Sequence, residues 1–280
     1  RARWNAEVKF LNAYYHFRLL ENYGPIPIID HYYSTATTKE DIPGRSHFDY
    51  CVNRIVEWLD EAAAVLPATV ETSELGRATS TACKALKGRV LLYAASPLWN
   101  GSFPNPNWRN TNYETPGYGT ELVSTSYSRD KWERARTACE EALAAALGAG
   151  NRSFYTLEAS EMQRMSENVP LPDIPGTDDE FKKKVMKMRY AMNAVETEGN
   201  REIVWGVISN PDSYIFWQAD AYPHNILSLN GGGNGGGICA MAPLLYAVEH
   251  FYTRNGILPK DDSEIPNSEW FQSAGYYQTK

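Results

Sequence analysis

Apolar residues recur at spacings of three and four along residues 1–150, the period of an α-helix, in four separate runs. In the first, Trp4, Val8, Leu11, Tyr15 and Leu19 form one stripe and Ala6, Phe10, Ala13, Phe17 and Leu20 a second, which predicts a helix that is apolar on two sides. Tyr23-Gly24-Pro25 stops it, glycine supplying a left-handed turn and proline barring continuation, and residues 25–29 must then be extended. In the second run, Ser46 with Asp49 three positions on reads as a capping box. Phe48, Val52, Ile55, Leu59, Ala62 and Leu66 then share a face as far as Pro67, the pattern of an amphipathic helix on the outside.

The third run, residues 79–100, is the predicted centre of the fold. Small residues Ala82, Ala85, Gly88 and Ala95 lie on one side and Leu86, Val90, Tyr93 and Pro97 on the next, so both sides should be buried. A mid-helix glycine costs about 1 kcal/mol relative to alanine, which Gly88 explains if another helix crosses close to its backbone. Thr79 is the expected N-cap and Pro97 the stop. The fourth run begins at Ser128, points Trp132, Ala135, Cys139, Ala142 and Ala146 inward, pairs Asp130 with Arg134 on its wet side and ends at Gly148.

Beyond residue 150 the regularity fades. Pro170, Pro172 and Pro175 punctuate a loop, and residues 177–180 cap a helix carrying Phe181, Val185, Met188 and Met192. Residues 203–208 read as a short strand, 214–222 as an apolar aromatic segment, 230–237 as a glycine tract and 242–252 as a last helix closed by Asn255-Gly256.

The four early helices form two pairs that partly match the tetratricopeptide pattern. Val8-x2-Leu11-Asn12-x2-Tyr15 resembles its first half, with Asn in place of Gly, and Ile55-x3-Leu59 with Pro67 its second. The connections 30–45 and 101–127 are far longer than a repeat turn. The expected class is therefore mainly all-α: helix pairs with long irregular loops and a few short strands. Residues 1–150 form the scaffold and 151–280 a loop-rich, mixed helical part.

A net charge of −7 argues against nucleic acid as a partner, because neutralising phosphate needs a basic face. The chain holds 18 Tyr and 8 Trp, enough for either a stacking surface or core filling. Cys51, Cys83, Cys139 and Cys239 lack CxxC spacing and read as buried free thiols, with disulfides the alternative that spacing does not decide. Nothing resembles a transmembrane run. The start at Arg1-Ala2-Arg3 and the polar end at 276–280 read as an internal piece of a longer protein.

Motifs for catalysis are absent from the pattern. Gly231, Gly233 and Gly236 satisfy GxGxxG without the flanking strands a dinucleotide site requires. His16, His31, His47, His224 and His250 form no HExxH and no zinc spacing, and Asp173, Asp178, Asp179 and Glu180 lack the spacing of a calcium loop. No metal or cofactor is expected. Paired carboxylates distant in sequence keep an enzyme as a third reading.

What remains is the aromatic loops. Trp99, Trp108, Tyr113 and Tyr118 sit among Asn, Pro and Gly, with Asn100 beside the first. Trp217 and Tyr222, with Gln218 and Asp220, form a second cluster. Rings beside amides and carboxylates suit a sugar, whose apolar face stacks while its hydroxyls hydrogen-bond. The competing reading is that these rings pin their own loops.

The stretch EVKFLNAYYHFRLLENYGPIPI (7–28) resembles the EARFLRAYYYFxLVxxYGxVPL signature of the SusD/RagB family. GRAT (76–79) with ALKGRVLLYA (85–94) resembles its GRATKxAAxALLARVYLYA stretch, EIVW (202–205) its EIIW strand, and the glycine tract with EHFYTRNG (249–256) its GGxCPTxELVDAFYTxNG segment. The resemblance implies a helical protein, lipid-anchored at the cell surface of a Gram-negative outer membrane through a segment outside this sequence. It implies binding of poly- or oligosaccharide without catalysis, for delivery to a SusC-like TonB-dependent transporter. The alternative is a helical-repeat scaffold whose ligand is another protein.

Overall fold

The computed structural model describes residues 1–38, 41–154, 176–193, 200–206, 250–253 and 255–264. Two compact units form, Arg1–Ile208 and Ser209–Lys280. In the first, α1 (Ala2–Tyr23), α2 (Phe48–Ala63), α3 (Ser80–Ala95) and α4 (Arg129–Leu147) pack in sequence order, each chiefly against the next, and α5 spans Asp179–Asn193. Among the described residues there is no strand, only two isolated antiparallel bridges, Arg109 with Glu121 and Thr115 with Gly119. The fold is all-α, as expected, while the anticipated strand at 203–208 is a bend as far as residue 206, with 207–208 outside the described residues.

The stripe of α1 containing Ala6, Phe10, Ala13, Phe17 and Leu20 enters the core. Trp4, Val8, Leu11, Tyr15 and Leu19 do not: Trp4 is 68% exposed and Val8 64%. Periodicity shows that a face is apolar without showing what lies on it. The helix ends as its sequence dictates, at Gly24 with φ 65°, whose N–H donates to Leu20 O at 3.0 Å. A Cβ at Gly24 would also meet Trp99 Cη2 at 3.0 Å, so both conformation and space require glycine.

Buried His16 pins the chain that follows. Its Nδ1–H donates to Asn12 O at 2.8 Å and its Nε2 accepts the Ile29 N–H at 3.1 Å, fixing the neutral tautomer.

Two features of α2 differ from the sequence reading. The cap is His47, whose Nδ1 accepts the Asp49 N–H at 3.1 Å; Ser46, one residue earlier, is tied by its N–H to Ile26 O at 2.9 Å. And α2 is not an outer helix. Cys51, Val56 and Trp58 are buried beside the expected stripe, because α1 and α3 both pack on it.

Helix α3 is buried on two sides, against α2 and α4, and Thr79 Oγ1 caps it by accepting the Ala82 N–H at 3.0 Å. A Cβ at Gly88 would stand 3.3 Å from Cys139 Sγ and 3.6 Å from Ala138 O, the close helix crossing that the glycine implied. On α4 the buried positions are Ala135, Ala138 and Ala146, whereas Trp132 is 39% exposed and Cys139 is exposed, contrary to expectation. Arg134 donates to Asn53 Oδ1 at 3.0 Å rather than to Asp130.

Three of the stretches that carry the family resemblance meet in space. Arg77 grips both carboxylate oxygens of Glu7 at 2.9 Å, and its third donor reaches Glu74 at 2.6 Å. The Trp205 indole N–H donates to Gly76 O at 2.9 Å, and its ring meets Phe10 and Tyr14 edge-on at 5.0 and 5.2 Å.

Elsewhere, Asp178 Oδ1 caps α5 by accepting the Phe181 N–H at 2.8 Å; Met186 is buried while Phe181 and Met188 are exposed. In the second unit, the Thr253 N–H donates to Ile257 O at 2.9 Å across a turn at Gly256, φ 74°, and a 3-10 turn spans Pro259–Asp261. The expected helix at 242–252 lies largely outside the described residues, and its end, 250–252, is a turn and bend.

Candidate functional site

The long loop 101–127 is not a free excursion. Leu122 N–H donates to Trp108 O at 3.1 Å, Phe48 N–H to Leu122 O at 2.9 Å, and Asn110 Nδ2 to Arg45 O at 2.7 Å, so the loop folds back on itself and seals against the start of α2. Leu122 and Val123 are buried as its anchors.

That anchoring consumes two of the expected sugar-stacking rings. After Pro97 a single 3-10 turn, Pro97–Trp99, carries Trp99 inward, where it is 6% exposed. Phe48 stacks on it at 4.0 Å and 7° and Phe103 at 5.0 Å and 20°; Phe103 in turn stacks on Trp108 at 5.6 Å, and the Arg45 guanidinium lies 5.6 Å from the Trp108 ring centre. The ladder leaves no open face on Trp99, and half-buried Trp108 is taken up by Phe103 and Arg45. Asn100 is likewise 3% exposed and spends its amide on backbone groups. Trp99 and Asn100 are therefore core residues, corrected from the surface role their loop setting suggested.

Tyr113 has a different setting. The loop 28–46 and the loop 101–127 face each other across an open cleft of about 720 Å³. Its walls carry the rings of Tyr33, Tyr50, Tyr113 and His31, with Ile28, Ile42 and Pro43 between them. Tyr33, Tyr50 and Tyr113 are half-buried, which leaves part of each ring accessible. His31 and Tyr33 are paired at 4.3 Å between ring centres. A Cβ on Gly44 would fall 2.6 Å from Tyr113 Cβ, so this glycine is what lets the two loops close at the base of the cleft.

Polar groups complete the lining. Asp30 and Asp41 are exposed at the cleft, and Asn112 stands beside Tyr113. Asp30 Oδ1 meets His31 Nδ1 at 2.8 Å, a bond that holds the Asp30 carboxyl below its ordinary range, with Arg54 at 3.7 Å assisting. Asp41 Oδ2 accepts the Thr38 N–H at 3.1 Å and the Thr38 hydroxyl at 2.8 Å, with the same effect on its carboxyl. Ser46, also part of the lining, is fully buried and its Oγ has no hydrogen-bond partner. The volume, the rings and the few polar groups are those of a small-ligand site.

A second cavity of about 230 Å³ lies among α2, α3 and the start of α4. The charges at its centre are already matched. Asp49 takes Ser124 Oγ and Lys131 Nζ, each at 2.6 Å, and Lys131 also donates to Trp99 O at 2.8 Å. Tyr118, named beside the sugar-site rings, stacks on His47 at 4.1 Å at this cavity, and burial pushes its hydroxyl pKa up. This is a braced junction.

Trp217, Gln218, Asp220 and Tyr222 lie outside the described residues, as do Cys239, the GxGxxG glycines, the loop with Pro170, Pro172 and Pro175, and Asp173. Among the described residues no three His, Cys, Asp or Glu side chains gather as metal ligands, and no helix is long and apolar enough to cross a membrane. Of the cleft residues, sequence reasoning found Tyr113. Tyr33, Tyr50, Asp41 and Asn112 gave no signal of their own, since nothing in the spacing joins residues 28–46 to 112–113.

Comparison with known proteins gives one family and several solved structures. Residues 2–92 match the SusD-like family model described as "Starch-binding associating with outer membrane". The solved structure of BT4246 is 52% identical over 98% of this chain, with a TM-score of 0.80, and its selenomethionine form is 50% identical over the same share, with a TM-score of 0.78. A SusD-like protein (BF3747) from Bacteroides fragilis NCTC 9343 is 24% identical over 76% of this chain and 28% of its own, with a TM-score of 0.45. The chain spans 45% of the length of BT4246 in either form. No curated protein matches it.

Proposed function

The chain belongs to the SusD/RagB family, and from that premise we propose that it binds glycan, without catalysis, in the cleft between loops 28–46 and 101–127. One observation carries this reading: Tyr33, Tyr50 and Tyr113 offer partly open rings around a space of about 720 Å³ with Asp30, Asp41 and Asn112 among its lining. Rings stack on the C–H face of a pyranose, and the carboxylates and amide take its hydroxyls. Trp217, Gln218, Asp220 and Tyr222 stay with the proposal as a second contact cluster. In the whole protein, the glycan is handed to a SusC-like TonB-dependent transporter, with a lipid anchor outside this sequence holding the assembly at the outer-membrane surface.

Affinity electrophoresis against a polysaccharide panel tests the site. Tyr113→Ala and Tyr33→Ala should each weaken retardation about tenfold, the loss of one stacked ring. Unchanged retardation in both variants would remove the cleft from consideration.

The outward stripe of α1 favours the second reading, a helical scaffold with a protein partner, because Trp4, Val8 and Tyr15 are all more than 60% exposed on one face. Loss of partner binding, with glycan retardation intact, in Trp4→Ser/Tyr15→Ser would support that reading.

A further inference from the structure

We propose that the cleft selects uncharged saccharides and rejects those carrying carboxylate or sulfate groups, an inference that rests on the glycan-binding reading of the same cleft. Its described lining contains two carboxylates, Asp30 and Asp41, and neither lysine nor arginine.

The two carboxylates are offset only in part where they stand: among the described residues Arg54 lies 3.7 Å from Asp30 Oδ2, and Asp41 has no such ion pair. Asp41 is engaged through Oδ2 alone, by uncharged donors of Thr38. Asp30 faces His31, and the nearest arginine, Arg54, is shared with Glu57 and lies over the Trp58 ring at 5.3 Å. Both carboxyls are held below their ordinary range, so both are charged at neutral pH.

An ionised carboxylate only accepts hydrogen bonds. A neutral saccharide brings a hydroxyl donor at nearly every carbon and satisfies Asp30 and Asp41. A uronate or sulfated sugar replaces a donor with further acceptors and sets like charges within a few ångströms, which costs affinity at any intermediate dielectric. Because both side chains are exposed, the rejection is screened by salt and is strongest at low ionic strength.

The experiment is affinity electrophoresis of the full chain at low salt in gels containing starch, mannan or a neutral β-glucan, and in gels containing pectate, alginate or chondroitin sulfate. Retardation is expected in at least one neutral gel and in none of the polyanionic ones. The Asp30→Asn/Asp41→Asn variant, its fold checked by circular dichroism, should gain about tenfold in retardation by a polyanion. Equal or stronger retardation of the wild-type chain by a polyanion overturns the selectivity. So does a double variant that gains nothing. Absence of retardation in every gel overturns the glycan-binding reading itself, and with it the selectivity.

Discussion

Asn100 clasps Ser128 through two backbone bonds: its Oδ1 accepts the Ser128 N–H at 2.7 Å and its Nδ2 donates to Ser128 O at 3.0 Å. The same amide reaches back to Ala95 O at 3.3 Å, so one side chain joins the end of α3 to the start of α4. Ser128 makes no side-chain cap of its own. Replacing Asn100 by Ala strands buried backbone groups and should cost about 2–3 kcal/mol in urea denaturation. Polysaccharide retardation at 20 °C, where the variant remains folded, should not change; a variant of native stability that has lost retardation would restore Asn100 to the ligand site.

Stability should fall between pH 7.5 and pH 5. Burial pushes His16 below its ordinary value of 6.5, and His47 in the same direction, so the unfolded chain takes up these protons first as pH drops. The contribution is whole above 6.5 and is lost progressively beneath it, levelling off once the folded imidazoles protonate too. Asp30, Asp41 and Glu74, whose values are lowered from the carboxylate range, act only at more acid pH. Urea midpoints measured across this window should shift down, and His16→Gln should remove part of the shift; a flat profile in the wild-type chain contradicts the buried neutral imidazoles.

Gly88→Ala sets two effects against each other. Helix propensity favours alanine by about 1 kcal/mol, and a Cβ at 3.3 Å from Cys139 Sγ opposes it. The single variant should lie within about 1 kcal/mol of the wild type. In a Cys139→Ala background, where the sulfur is gone, the same change should be stabilising by about 1 kcal/mol. Thermal melts of the four members of this cycle decide it, and additive behaviour would mean that the crossing is looser than described.

Thiol chemistry should separate the cysteines. Burial pushes the Cys51 and Cys83 thiols up to about 12, and Cys51 donates to Ile26 O at 3.4 Å, so both resist alkylation while folded. Cys139 is exposed. Iodoacetamide at pH 8 followed by peptide mapping should modify Cys139 within minutes and the other two only in denaturant; early modification of Cys51 would contradict the packing around Ile26.

Helix positions were legible because their signals are local. Thr79, Gly88 and the pair Gly24-Pro25 each act within a turn or at one crossing, and each behaves as its chemistry dictates. What faces what was not. Trp4 and Phe10 are equally apolar in the sequence, yet the exposure is 68% for one and 1% for the other, since only the arrangement of α2 decides between them. Trp99 looked like a loop residue because Pro97 ends α3; the 3-10 turn that returns it to Phe48 depends on long-range packing. The cleft is the extreme case, as Tyr33 and Tyr113 belong to different loops and only the closed fold sets them around one space.

The docking of Trp205 has a consequence for how the molecule assembles. Its partner, Gly76, precedes it by 129 positions, and Phe10 lies further back still. The surface of α1 that receives the indole cannot be covered by it during synthesis until residue 205 has left the ribosome, so closing this layer depends on a high-separation contact rather than a local one. A nascent chain stopped short of that tryptophan would present Phe10 and Tyr14 to chaperones, and release past it would withdraw them.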